Sequence, residues 1–390
     1  MSRHPFTRRS PLAGLNVGGL IRTPAQQTTD GRSTTDRRTL LSVGLTVLLG
    51  VTATVTTGCG EDTTGGTGSG GSTPLVGVDY PRSDTDFWNS YIKEVPKAGR
   101  ELGVDLKTTN SQNDVANLIS NTQTFISQGV KGVVMAPQDT AAIAPILQQL
   151  DAKNIPVVTI DTRPDAGRVF MVVRADNRAY GTKACQFLGS KLAGQGKVVM
   201  LQGGLDSING RDRTEAFTEC MRVQYPGITV FGEATDWKAD VAAAKLQTRL
   251  ASDPDVRGIY MQSSFALSGT LQILKQKRLQ VPPSDPKHVF IVSNDGIPEE
   301  LKNIRDGLVD ATVSQPADLY AKYGLYYVKA AIDGRTFPPG PTDHGSTIVQ
   351  VRDGVLEDQL AAPLVTADGA AIAGQPMVKY DDPSLWGNAG

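Results

Sequence analysis

GVVMAPQDTAAIAPILQQLDAKNIPVVTID, residues 132–161, is the stretch on which the fold turns. A short apolar run (132–135) leads into a longer amphipathic stretch (141–153), and a second apolar run (157–160) ends on Asp161. Runs of this length and Val/Ile content suit strands buried on both faces of a parallel sheet, with the helix as crossover. Working outward, the same unit recurs. Apolar runs stand at 75–78, 198–201, 258–261 and 289–292; helix-like stretches lie at 115–128, 179–193, 211–223, 239–250, 267–277 and 319–333. Such alternation predicts an α/β protein. One sheet of that size is too wide for the 316 residues from Leu75 onward, so the expectation is two doubly wound Rossmann-like lobes. No Pro/Gly/Ser linker interrupts the middle, which predicts a three-segment hinge near 173–176, 314–316 and 345–348. The N-terminal lobe is then 75–174 plus 316–346, and the C-terminal lobe with its tail 175–315 plus 347–390.

Charge divides the chain unevenly. Residues 1–58 carry seven Arg and two acidic residues; the remainder carries 32 basic and 38 acidic residues. A mildly acidic body without a Lys/Arg cluster excludes nucleic acid as the main partner. Three Cys and three His, scattered, exclude a structural metal site, and no cofactor motif is present. GTGSGG (66–71) satisfies a dinucleotide pattern but has no strand before it or helix after it, so it reads as linker.

The leader reads as an address. The uncharged stretch 40–55 is short for a membrane span and suits a signal-peptide core. Arg37-Arg38 before it resembles a twin-arginine export signal, although any positive region would serve general secretion equally. Thr56-Thr57-Gly58-Cys59 looks like a bacterial lipobox, with Thr56 departing from the usual Leu. Residues 1–58 are therefore expected to be a signal peptide, Cys59 the lipidated terminus, and 59–74 a flexible tether to the outer face of the cell membrane.

The residues just after each apolar run point to function. Asp79-Tyr80, Gln138-Asp139, Asp161-Thr162-Arg163, Gln202, Gln262-Ser263-Ser264 and Asn294-Asp295 stand at the strand ends. Open α/β sheets bind ligands outside the carboxyl ends of their strands. Carboxylates, amides and hydroxyls there match a small molecule covered in hydroxyl groups. Taken singly, each such residue is as readily a helix cap or a turn.

In this order the segments resemble the ribose-receptor type of solute-binding protein, the extracytoplasmic component of an ABC importer (a type I periplasmic binding protein). The resemblance runs from about Leu75 to Val351. It implies that Phe87-Trp88 and Trp237 stack on a sugar ring. It also implies that Asp161 and Asp295 bind its hydroxyls, that Arg211 in Gly210-Arg-Asp-Arg213 reaches the ligand, and that Gln315 is a hinge residue touching it. Departures matter: Ala136 replaces an Asn, Thr162 replaces an Arg that reappears as Arg163, and Ser263 replaces an Asn. Tyr80, Arg82, Asp84 and Asp86 add polar groups beside Phe87. The expected cargo is thus a monosaccharide other than ribose, or a sugar alcohol, delivered by a monomer to a membrane permease. Asp84, Asp86 and Arg163 join the candidate site on this ground.

No nucleophile–base–orienter set argues for an enzyme. A sensing receptor for a kinase or chemotaxis partner is the alternative that this fold leaves open. Cys185 and Cys220 are an even pair on neighbouring helical stretches and, in an oxidising compartment, read as a disulfide; two buried free thiols are the other reading.

Overall fold

The computed structural model describes residues 73–374 and 376–388. The leader, Cys59 and the tether up to residue 72 lie outside them. The chain begins with β1 (Leu75–Tyr80), α1 (Asp86–Leu102), β2 (Asp105–Asn110), α2 (Val115–Ser127), β3 (Gly132–Met135), α3 (Ala144–Ala152), β4 (Val157–Ile160) and β5 (Met171–Ala175). It crosses into a second set: α4 (Asn177–Lys191), β6 (Gln195–Gln202), α5 (Ile208–Gln224), β7 (Gly227–Ala234) and α6 (Ala239–Ser252). That set continues through β8 (Gly258–Met261), α7 (Leu267–Gln276), β9 (Phe290–Asp295), α8 (Pro298–Arg305) and β10 (Ala311–Ser314). The return brings α9 (Ala317–Ile332), β11 (Gly340–Pro341), β12 (Thr347–Arg352) and β13 (Val355–Leu360). Last come β14 (Leu364–Thr366) and β15 (Met377–Lys379).

Two sheets result, one per lobe. The first has the order β11-β12-β13-β5-β4-β3-β1-β2 and the second β15-β14-β10-β9-β8-β6-β7. From β5 to β2, and from β10 to β7, all pairings are parallel. The central strands β3, β4 and β8 are buried at every position, which is why they read as short apolar runs. Capping fixes the helix starts that face the cleft. Thr85 accepts from the Trp88 amide at α1, Asp176 from the Arg178 and Ala179 amides at α4, and Ser207 from the Asn209 amide at α5. A disulfide joins Cys185 of α4 to Cys220 of α5, with Cα atoms 6.1 Å apart.

The boundary expected at residue 346 is wrong. β12 and β13 form a hairpin, and β13 pairs in parallel with β5, Glu357 opposite Val172, so residues 347–360 extend the N-terminal sheet. The physical cause is the Asp353-Gly354 turn, with Gly354 at φ 66°, which sends the chain back along the same sheet. The third crossing is accordingly at 361–363 rather than 345–348; there the Ser314 amide of the second crossing donates to the Pro363 carbonyl.

Candidate functional site

The carboxyl ends of β4 and β9 face each other across the cleft. Asp161 comes directly after β4 with φ 62°, and Asp295 ends β9 with φ 121°. Non-glycine residues in this half of backbone space are strained, and their neighbours hold them there. Asp295 accepts from the Ser263 and Ser264 hydroxyls, both at 2.6 Å, from the Ser264 amide at 2.8 Å, and from Gln315 Nε2 at 2.7 Å. Asp161 Oδ2 accepts from Asn209 Nδ2 at 3.0 Å, a bond between the lobes. Its other oxygen, Oδ1, is buried and has no protein partner among the described residues.

Burial dominates the acidity of both groups. It pushes the Asp161 carboxyl up to about 6, against the pull of Arg213 and Arg174, with the Asp295 charge adding to the rise. Asp295 is raised for the same reason, burial outweighing Arg213 and the serine donors. Beneath Asp295 lies Glu300, fully buried, accepting from the Gly296 amide at 2.7 Å, the Thr312 hydroxyl at 2.8 Å and the Ser293 hydroxyl. Burial, with the Asp295 charge second, pushes this carboxyl up as well.

The buried cation of the site is Arg213, not Arg211. Arg213 Nε donates to Asn177 Oδ1 at 2.6 Å, Nη1 to the Gln262 carbonyl and Nη2 to Gln315 Oε1 at 3.3 Å. Its guanidinium lies 4.9 Å from the Tyr180 ring centre and 5.8 Å from that of Trp237. Helix geometry explains the correction: Asn209 and Arg213 are four residues apart on α5 and share its inner face, whereas Arg211 is turned away from both. Arg211 instead reaches across the lip of the cleft, binding both carboxylate oxygens of Asp165 at 2.6 and 2.7 Å and the Thr140 hydroxyl at 3.1 Å.

Aromatic rings close the space. Phe87 and Trp88 come from the start of α1, Trp237 and Phe265 from the second lobe. Phe87 meets Trp88 edge-on at 5.1 Å, and Trp237 meets Phe265 edge-on at 5.9 Å. Trp237 lies over Gly203 and Gly204 at the end of β6; a Cβ on Gly203 would stand 2.0 Å from its ring. Two glycines are therefore the condition for that ring to lie flat on the backbone. Trp237 Nε1 is buried and, like Asp161 Oδ1, has no protein partner among the described residues.

These groups surround one pocket between the lobes. Of the residues expected there, Phe87, Trp88, Asp161, Trp237, Ser263 and Gln315 line it, and Asp295 stands directly behind Ser263 and Gln315. Besides Arg211, three others do not. Asp84 is exposed and binds Arg82 at 2.5 and 2.8 Å; Asp86 is exposed in the first turn of α1, where its charge suits the helix dipole. Arg163 pairs at 3.0 Å with Glu357, a buried carboxylate on β13 that also draws Arg174 to 3.6 Å. The structure adds Arg82, Gln138, Ser207, Asn209, Arg213 and Phe265 to the lining. Gln138 stands at a strand end and Arg82 beside Phe87, both visible in the sequence, while the four-residue spacing of Asn209 and Arg213 is the signal for that pair.

Comparison with known proteins agrees with this geometry. The family profile described as a periplasmic binding protein domain matches residues 76–336. The ribose import binding protein of Bacillus subtilis (strain 168) is 25% identical over 247 residues, covering 63% of this chain and 78% of that protein. The xylitol-binding protein of Mycolicibacterium smegmatis is 26% identical over 303 residues, covering 77% of this chain and 83% of that protein. Among solved structures, a glucose-galactose binding protein from Geobacillus stearothermophilus superposes with a TM-score of 0.66 at 22% identity, covering 77% of this chain and all of that one. With two α/β lobes, a polar cleft at their strand ends and a matched span of two thirds of its length, this chain belongs to the periplasmic binding protein family.

Proposed function

We propose that the chain captures a single small polyhydroxylated solute, a monosaccharide or a sugar alcohol, outside the cytoplasmic membrane and delivers it to an ABC permease. The family is extracytoplasmic and binds solutes rather than transforming them. The named relatives bind ribose and xylitol, and the departures at Ala136, Thr162 and Ser263 speak against ribose as the cargo here. The observation that carries the reading is that two residues lining one cavity, Asp161 and Trp237, each carry a buried polar atom, Oδ1 and Nε1, with no protein partner among the described residues. One is an acceptor and the other a donor, and a hydroxyl supplies both complements. Aromatic faces on both sides suit the C–H surface of such a molecule, and closure around it excludes water, so each lost hydrogen bond is costly. Cys59 as a lipid anchor and residues 1–58 as its export signal complete the proposal; Cys59→Ser is expected to release the protein from the membrane fraction.

A thermal-shift panel of pentoses, hexoses, tetritols, pentitols, hexitols and inositols tests it. A ligand at a hundred times its Kd adds about 2.7 kcal/mol to stability, so the cognate class raises the melting point by several degrees. Asp161→Ala or Asp295→Ala abolishes that rise. A flat panel overturns the reading.

A further inference from the structure

Behind the cleft, residues 380–388 form a tail that lies beyond the span matched by the family profile. The segment is tied into a closed loop: Asn388 Nδ2 donates to the Tyr380 carbonyl at 2.8 Å and to the Asp382 carbonyl at 2.9 Å, and Ser384 donates twice to Asp382 Oδ1. Leu385 is buried, and the turn after it packs on the C-terminal lobe, where a Cβ on Gly387 would stand 2.9 Å from Leu301 of α8. From that anchor Trp386 reaches the site in two directions. Its indole Nε1 donates at 3.1 Å to the main-chain carbonyl of Asp295, and its ring meets Phe87 of the opposite lobe edge-on, with centroids 6.0 Å apart. The next residue fits as closely, since a Cβ on Gly387 would stand 2.2 Å from the Gly296 carbonyl oxygen.

We propose that this tail is a positioning element of the ligand site, with Trp386 fixing the Asp295–Gly296 turn and backing the Phe87 ring. The inference rests on the reading that the cavity binds a polyhydroxylated solute. Asp295 has φ 121° and Gly296 φ 74°, a turn that needs external restraint to keep one orientation. The Asp295 carbonyl has two donors, the Gln315 amide at 3.1 Å and the Trp386 indole. The first belongs to the hinge and the second to the tail. Trp386 therefore sets the direction in which the Asp295 carboxylate leaves its backbone. The same ring stands behind Phe87, which lines the cavity from the other lobe. A single side chain outside the cavity thus touches one supporting group from each lobe, in addition to the three hinge crossings.

The test uses the full chain and Trp386→Phe, which keeps an aromatic ring and removes the N–H, with Trp386→Ala as the larger lesion. Calorimetric titration with xylitol, D-ribose and D-allose is paired with hydrogen-exchange mass spectrometry of the ligand-free proteins. For a probe the parent binds, Trp386→Phe is expected to bind about fivefold to tenfold more weakly. Exchange should quicken over residues 290–298 and stay unchanged over α2 in the far part of the N-terminal lobe; a merely structural role would quicken both. An affinity within twofold of the parent's, unchanged exchange over 290–298, or equal quickening at α2 overturns the inference. If the parent binds none of the three probes, the wider panel decides the ligand class and the exchange pattern alone decides the role of the tail. Should Trp386→Ala not fold, Trp386→Phe carries the result.

Discussion

Asn209 of α5 donates to Asp161 at the end of β4 across 3.0 Å, so the carboxylate of the N-terminal lobe is held by an amide of the C-terminal lobe. Arg174 extends the link: its Nη2 donates to Asn209 Oδ1 at 2.8 Å and pairs with Asp212 at 3.1 Å. Closure of the lobes and orientation of the carboxylate are therefore one event. A bond of this kind lets a small ligand bias a two-lobed protein, because the groups that bind it are the groups that join the lobes.

Asp161 costs stability. Its carboxyl rises from 3.8 to about 6 on folding, so between about pH 4 and pH 6 the native state holds more protons than the unfolded chain. Stability attributable to this group therefore falls as pH rises through that window and is flat above it. Asp161→Asn removes the penalty. Ligand-free Asp161→Asn is expected to unfold later than the parent at pH 7.5, by about 3 kcal/mol at most, with the gap closing towards pH 4. Denaturant unfolding at both pH values checks this; a variant less stable than the parent at pH 7.5 contradicts it.

The same group gives binding a pH dependence of opposite sense. A solute hydroxyl donating to Asp161 needs the carboxylate, which is lost as pH falls through about 6. Affinity should be level from pH 7 to pH 8 and about tenfold weaker at pH 5. Calorimetric titration across that range reads it directly, and an affinity independent of pH down to 5 argues against Asp161 as a contact.

Burial leaves its mark on composition, and that decides which elements are legible in the sequence. β3, β4 and β8 are fully buried and stand out as apolar runs, whereas β2 (DLKTTN) is a largely exposed edge strand that resembles any polar linker. α1 escapes notice because Pro96 sits inside it, on an exposed position. Asp161 and Asp295 are visible because each ends an apolar run. Arg213 is hidden by its neighbour, since two arginines two apart in sequence point to different faces of a helix and only the register chooses between them. The Asp353-Gly354 turn was the readable sign that 347–360 fold back as a hairpin. Nothing local in residues 380–388 reports that Trp386 ends up behind Asp295; that contact belongs to tertiary packing alone.

Exchanging the roles of the two arginines gives a sharp contrast. Arg213→Ala strips a buried network of Asn177, Gln262 and Gln315 and leaves their acceptors unpaired, so binding should fall by about a hundredfold or more. Arg213→Lys keeps the charge but not the fork and is expected to lose more than about tenfold. Arg211→Ala removes a part-exposed pair with Asp165 at the cleft lip, and such pairs contribute little, so affinity should change by about fivefold at most. Equal losses for Arg211→Ala and Arg213→Ala would restore Arg211 to the site.

The disulfide allows stability and binding to be separated on one helix. Cys220 lies towards the end of α5, and Asn209 and Arg213 lie near its start; the bridge to Cys185 fixes α5 against α4 and closes a loop of 35 residues' separation. The chain-entropy account of such a loop gives about 4 kcal/mol, most of it through the unfolded state. Neither sulfur lines the cavity, and the inner face of α5 is held independently by Arg174, Asn177 and Gln262. The double variant Cys185→Ala with Cys220→Ala should therefore melt roughly 5–10 °C lower while its Kd at 25 °C stays within about twofold of the parent's. Calorimetry and a thermal melt on the same preparation check both halves. Were affinity to fall in step with the melting point, the register of α5 would depend on the bridge, and the hydrogen bonds around Arg213 would be too weak to hold that helix alone.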